Sequence, residues 1–118
     1  MDGPILVTGA GGFVCSEIAL SLSRAGHKVT AVDQLFDEAT TKRLKNVRRI
    51  QGPLSEVLAD RDLGSYSAVI HGAAITASPE QLDISKAAHI QRNMDMLTST
   101  LDFAHREGAN RFLFLSSM

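Results

Sequence analysis

Residues 4 to 16, Pro4-Ile-Leu-Val-Thr-Gly-Ala-Gly-Gly-Phe-Val-Cys-Ser16, decide how the rest of the chain is read. An apolar run stops at a glycine-rich turn, and a helical pattern opens beyond it. Ile5, Leu6 and Val7 are too few and too uniformly apolar for an exposed strand, so they predict a strand buried on both faces, as in a parallel sheet. Gly9, Gly11 and Gly12 follow. Glycine admits positive φ and lets a ligand approach the main chain, while a helix N-terminus supplies unpaired N–H groups at the positive end of a dipole. Together these make a cradle for an anion, and the anion expected is a pyrophosphate.

Working outward, a helix over Ser16 to Ala25 is stopped by Gly26, and a second strand from Lys28 to Val32 ends at Asp33. Phe13, Ile18, Leu22 and Ala25 are expected to turn toward the sheet. Asp33 lies 21 positions after Gly12. An acid at the end of the second strand, about 20 residues past the turn, accepts hydrogen bonds from an adenosine ribose in a dinucleotide-binding unit. Strand, turn, helix, strand and acid in that order predict an NAD site.

The 118 residues suffice for one domain. Twelve basic against 13 acidic residues, a formal charge of -1, give no reason to expect a nucleic-acid partner. One cysteine excludes an internal disulfide, and Met-Asp-Gly-Pro at the start lacks the basic and apolar segments of a signal peptide. No apolar run approaches the roughly 20 residues that span a bilayer. The expectation is a cytoplasmic protein with no membrane partner.

Further along, Phe36 to Leu44 predicts a short helix with acids early and bases late, the order that suits its dipole. Val47 to Ile50 reads as a third strand stopped by Gln51-Gly-Pro53, and Leu54 to Ala59 as another short helix. Ser67 to Ile70 is a fourth strand, left through the small residues Gly72, Ala73 and Ala74. Ile90, Met94, Leu97, Leu101 and Ala104, at spacings of 4, 3, 4 and 3, predict a long amphipathic helix buried along that stripe. Arg111 to Leu115 is a fifth strand, apolar on both faces. Strands alternating with helices predict an α/β, Rossmann-type doubly wound parallel sheet of order 3-2-1-4-5, incomplete at its C-terminal edge.

Taken together, Thr8-Gly-Ala-Gly-Gly-Phe-Val-Cys15, Asp33, Val69-Ile-His-Gly-Ala-Ala74, Asn93 and Phe112-Leu-Phe-Leu-Ser-Ser117 resemble the extended short-chain dehydrogenase/reductase family, the NAD-dependent epimerases and dehydratases. The resemblance implies that Gly9 and Gly12 shape the phosphate turn and that Phe13 and Val14 offer it backbone N–H groups. It implies that Asp33, with Gln34, meets the adenosine ribose and that Leu54 meets the adenine. Gly72, Ala73 and Ala74 would pass the nicotinamide-side ribose and phosphates, Asn93 would brace the fourth strand, and Ser117 would be the catalytic serine that holds the reacting oxygen.

Three departures qualify what is carried over. Cys15 stands where the third glycine of the turn belongs, and is read as a buried structural residue. Pro53 stands where the family usually has an acid facing the adenine. The family's Tyr-x-x-x-Lys pair has no counterpart, since Tyr66, the only tyrosine, is followed at the fourth position by Ile70. His71, His89 and His105 share no ligand spacing, so no metal is expected. Lys42, Arg43, Lys45, Arg48 and Arg49 could hold a 2′-phosphate, but the Asp33 carboxylate would repel it, which favours NAD over NADP.

The function expected is that of the NAD-binding portion of an epimerase, dehydratase or dehydrogenase working by hydride transfer on a sugar or nucleotide-sugar hydroxyl. Residues 1-118 would be the N-terminal part of a longer enzyme. The competing reading is a non-catalytic, regulatory or redox-sensing dinucleotide-binding module. The isolated chain is expected to show no turnover and, with one face of the fifth strand uncovered, to self-associate through that strand unless more polypeptide covers it.

Overall fold

Five short strands lie side by side in parallel, in the order 3-2-1-4-5. The structure, a computed structural model, describes residues 3–74 and 78–115. In chain order the elements are β1 (Ile5–Thr8), α1 (Phe13–Arg24), β2 (Val29–Asp33), α2 (Glu38–Arg43), β3 (Arg48–Gln51), α3 (Leu54–Ala59), a 3₁₀ turn at Arg61–Leu63, β4 (Ala68–His71), α4 (Lys86–Arg106) and β5 (Arg111–Phe114). Each neighbouring parallel pair needs a crossover, and the helices supply it.

Because a strand's side chains alternate between its faces, the all-apolar strands fill two cores at once. Ile5, Val7, Ala31 and Ile70 pack on the face covered by α1, with Cys15 and Ala19 from that helix. Leu6, Val32 and Val69 pack on the other face, with Val57 and Leu58 of α3 and Phe103 and Ala104 of α4. Tyr66 belongs to this second core, its hydroxyl donating to the Leu63 carbonyl at 2.7 Å.

Register positions the site. Thr8 pairs with Val32 on one side and His71 on the other, so the carboxyl ends of β1, β2 and β4 finish level and their exits converge.

Two expectations about burial are corrected. The first helix starts earlier than predicted, at Phe13, and neither Phe13 nor Ala25 is buried: Phe13 is 79% exposed. The helix turns Cys15, Ser16 and Ala19 to the sheet, with Ile18 and Leu22 packed partly buried against the same core as expected, while Phe13 stands at its first position and Ala25 at its C-cap. On α4 the predicted stripe is mostly in solvent, with Ile90 62% exposed and Met94 and Leu101 also exposed. Thr100, Phe103 and Ala104 are the buried residues.

Candidate functional site

The turn after β1 is closed by Ala10 N–H donating to Val32 O at 3.1 Å and Gly12 N–H to Gly9 O at 3.1 Å. Two of its glycines are demanded by the protein itself. Gly9 has φ of +72°, and a Cβ there would lie 2.5 Å from the Gly72 main chain, which the level ends of β1 and β4 bring alongside. A Cβ at Gly11 would overlap the Leu35 carbonyl.

Gly12 is different. Its φ of -80° suits any residue, and a Cβ would meet only Gly9 O at 3.4 Å, an ordinary contact. It is the N-cap of α1, no side chain caps it, and the first turn of the helix holds no acid. The N–H groups of that turn have no intrahelical acceptor, and the helix dipole places positive potential there.

Asp33, at the end of β2, has a structural task as well as the expected one. Its Oδ2 accepts from Gly11 N–H at 2.8 Å and its Oδ1 from Gln34 N–H at 2.6 Å, which ties the glycine turn to the second strand. A carboxylate has about four lone-pair sites, so two remain for further donors.

Across the cleft, Thr8 pins the β4 exit. Its Oγ1 accepts from Gly72 N–H at 3.2 Å and Ala73 N–H at 3.3 Å and lies 2.7 Å from His71 Nδ1. The two share one hydrogen bond whose direction the imidazole tautomer sets, and the ring's other nitrogen is Nε2. That Nε2 is buried without a partner, and the ring stacks with Phe112 and Phe114 of β5. Burial pushes the His71 pKa down to about 4, so the ring is neutral at pH 7. Its spacing from His89 and His105 marks His71 only as no metal ligand. Its signal was positional, as the residue level with Thr8 at the end of an adjacent strand.

Cys15 sits beneath this exit. A Cβ at Gly72 would overlap its Sγ, so the thiol occupies the space that Gly72 leaves empty. Burial, and then the Asp33 carboxylate, push the thiol pKa up, opposite to what activates a nucleophile.

These exits enclose a cleft of about 480 Å³ at the carboxyl edge of the sheet, where chain order reverses between β1 and β4. Gly9, Gly12, Asp33, Gln34, Leu54, Gly72, Ala73 and Ala74 all line it. Phe13 and Val14 lie beside it, their side chains in solvent. Asn93, half-buried on α4, is not among the described residues that line it, and Ser117 lies outside the described residues. Met96 of α4 does line it, a contact that no local motif marks.

Residues 5–118 match the family model described as the NAD dependent epimerase/dehydratase family. The chain belongs to this family. Its fold superposes on family-type structures: an epimerase from Methanothermobacter thermautotrophicus at TM-score 0.82 and 28% identity, and a short-chain dehydrogenase/reductase superfamily protein from Agrobacterium tumefaciens with bound NAD at 0.75 and 29%. UDP-glucose-4-epimerase from Stenotrophomonas maltophila, with bound NAD and formylated UDP-arabinopyranose, has TM-score 0.80 at 24% identity. These matches cover 98%, 97% and 98% of this chain but 35%, 32% and 37% of the respective structures, about a third of their length. No curated protein matches the chain.

Among the described residues no group of His, Cys, Asp and Glu could hold a metal ion, and no helix is long and apolar enough to cross a membrane.

Proposed function

We propose that this protein binds NAD along the cleft at the carboxyl edge of its sheet. Gly12 carries the reading: the protein leaves room for a side chain there, yet the position is bare and opens onto an uncapped helix N-terminus. An anion fits that space. The pyrophosphate would lie against the N–H groups of Phe13 and Val14, and the adenosine ribose would donate to the free lone pairs of Asp33, next to Gln34. The adenine would extend toward Leu54, and the nicotinamide half would pass Gly72, Ala73 and Ala74. Thr8 holds that loop still, and Asn93, from α4, would brace β4 behind it.

NAD over NADP is supported by the neighbourhood of Asp33. Its carboxylate repels a 2′-phosphate, and four of the five nearby basic residues are engaged elsewhere. Lys42 pairs with Glu38 at 3.4 Å, Arg43 with Glu17, and Arg48 and Arg49 donate to main-chain carbonyls.

When bound, NAD supplies the acceptor and donor of hydride. On this reading residues 1–118 form the cofactor-binding domain of an enzyme that acts on a sugar or nucleotide-sugar hydroxyl, with Ser117 holding the reacting oxygen. The span of about a third of the similar structures accords with that. A second reading, a dinucleotide-binding module without catalysis, is favoured by Tyr66. Its hydroxyl is buried and committed to Leu63 O, so it is not placed to exchange a proton with a substrate.

Calorimetric titration tests the binding. NAD is expected to bind more tightly than NADP, Asp33→Ala to lose about 1 to 3 kcal/mol, and Gly12→Val to abolish binding with the fold intact. Tighter binding of NADP would overturn the cofactor, and a Gly12→Val variant that bound like the parent would overturn the cradle.

A further inference from the structure

The cleft does not end at Leu54. Gln34, Leu54 and Met96 also line a second hollow of about 410 Å³ that continues outward between α3 and α4. Its α4 wall is made by Arg92, Asp95, Met96 and Ser99, spaced at i, i+3, i+4 and i+7, which is one stripe of a helix. Following the proposed binding mode, a base attached to the ribose at Asp33 is carried past the end of β2 toward this hollow.

The near wall of the hollow, made by Gln34, Pro53, Leu54 and Ser55, carries no charged group for the polar edge of that base. Pro53 has no N–H and no polar side chain, its carbonyl accepts from Glu56 and Val57, and the Gly52 N–H is given to Asp33 O at 3.0 Å. The charged groups stand on the opposite wall. Asp95 Oδ1 accepts from Gln91 Nε2 at 2.7 Å, which leaves lone pairs on its other oxygen. Ser99, one turn on, brings a hydroxyl that can donate.

Resting on the NAD reading above, we infer that Asp95 selects the base: its carboxylate accepts from the exocyclic amine of adenine while Leu54 and Met96 hold the ring. A 6-amino purine presents a donor to Asp95 and an unprotonated ring nitrogen to Ser99. A 6-keto purine reverses both, setting a carbonyl oxygen against the carboxylate. Asp95 is thus a specificity residue contributed by α4, where the near wall offers no carboxylate.

The test is the affinity of the protein for NAD against nicotinamide hypoxanthine dinucleotide, which differs only in bearing a keto group for the amine. NAD is expected to bind about tenfold more tightly, the equivalent of one charged hydrogen bond. Asp95→Asn, whose amide both donates and accepts, is expected to bring the two affinities within about twofold while the hypoxanthine compound binds no more weakly than to the parent. Because Asp95 is exposed, the exchange is compatible with folding. Equal affinities in the parent, or a preference that Asp95→Asn leaves unchanged, would overturn the assignment and leave NAD binding standing. Tighter binding of the hypoxanthine compound would point to Arg92 as the reader and overturn it equally. Failure of both dinucleotides to bind would remove the proposed function and this inference together.

Discussion

Cys15 and Gly72 form one contact across the floor of the cleft, so each limits what the other can be. Gly72→Ala would overpack the thiol, at a cost of about 1 to 3 kcal/mol, and Cys15→Gly in the same chain should recover most of it. A double-mutant cycle by chemical denaturation measures this directly, and additive effects would show that the two do not meet in solution. Cys15→Gly alone is expected to fold and bind NAD. With burial and the Asp33 carboxylate raising its pKa, Cys15 should react with an alkylating reagent no faster than free cysteine. His71 makes stability depend on pH. Its pKa falls from 6.5 when unfolded to about 4 in the fold, so the unfolded chain binds the extra proton first. Its contribution is whole above pH 6.5 and is lost as pH falls toward 4, by about 3 kcal/mol in all. Denaturation at pH 7.5 and 4.5 should show this loss in the parent and a smaller one in His71→Phe.

At the scale of elements, α4 has an entry and a footing that differ in kind. Ser85 caps it, its Oγ accepting from Ala88 N–H at 3.0 Å, while its packing lies toward the other end, at Thr100, Phe103 and Ala104. The first two turns therefore depend more on the cap than on burial. Ser85→Ala is expected to cost about 1 kcal/mol and to speed amide exchange in residues 86 to 92 ahead of the rest of the helix. Exchange accelerated evenly along α4 would mean that the helix opens as one unit. Ile90, Met94 and Leu101 keep the periodicity of a buried face without being buried by this chain.

For the whole molecule, the sheet is covered unevenly. β1 and β2 are enclosed on both faces, whereas β5 leaves Leu113, beside Ile70 on the α1 face, 54% exposed and Phe114 on the opposite face 52% exposed. Side chains of this size forfeit about 1.5 to 3 kcal/mol each when left in water, and the outer edge of β5 presents unpaired main-chain groups. The protein on its own is expected to self-associate through this strand. Sedimentation should show association that rises with concentration and is weakened by Leu113→Lys, whereas a monomer at high concentration would contradict it. The same chain is expected to form no NADH from nucleotide sugars, and measurable turnover would count against a domain that supplies the cradle alone.

Local chemistry made much of this legible in the sequence. Apolar runs too short for helices specified strands buried on both faces, the alternation of strand and helix specified the parallel order 3-2-1-4-5, and Gly9 with Asp33 marked the cleft, because turn conformation and strand ends depend on a few adjacent residues. Periodicity on α4 revealed a helix but misjudged its buried side, since it records which residues are apolar and not where the neighbouring elements stop. The meeting of Cys15 with Gly72, the Thr8–His71 pair and the α4 wall bearing Met96 and Asp95 join residues far apart in the chain. Only the register of the strands and the docking of α4 decide those, because each depends on packing across the sheet, which no local stretch of sequence encodes.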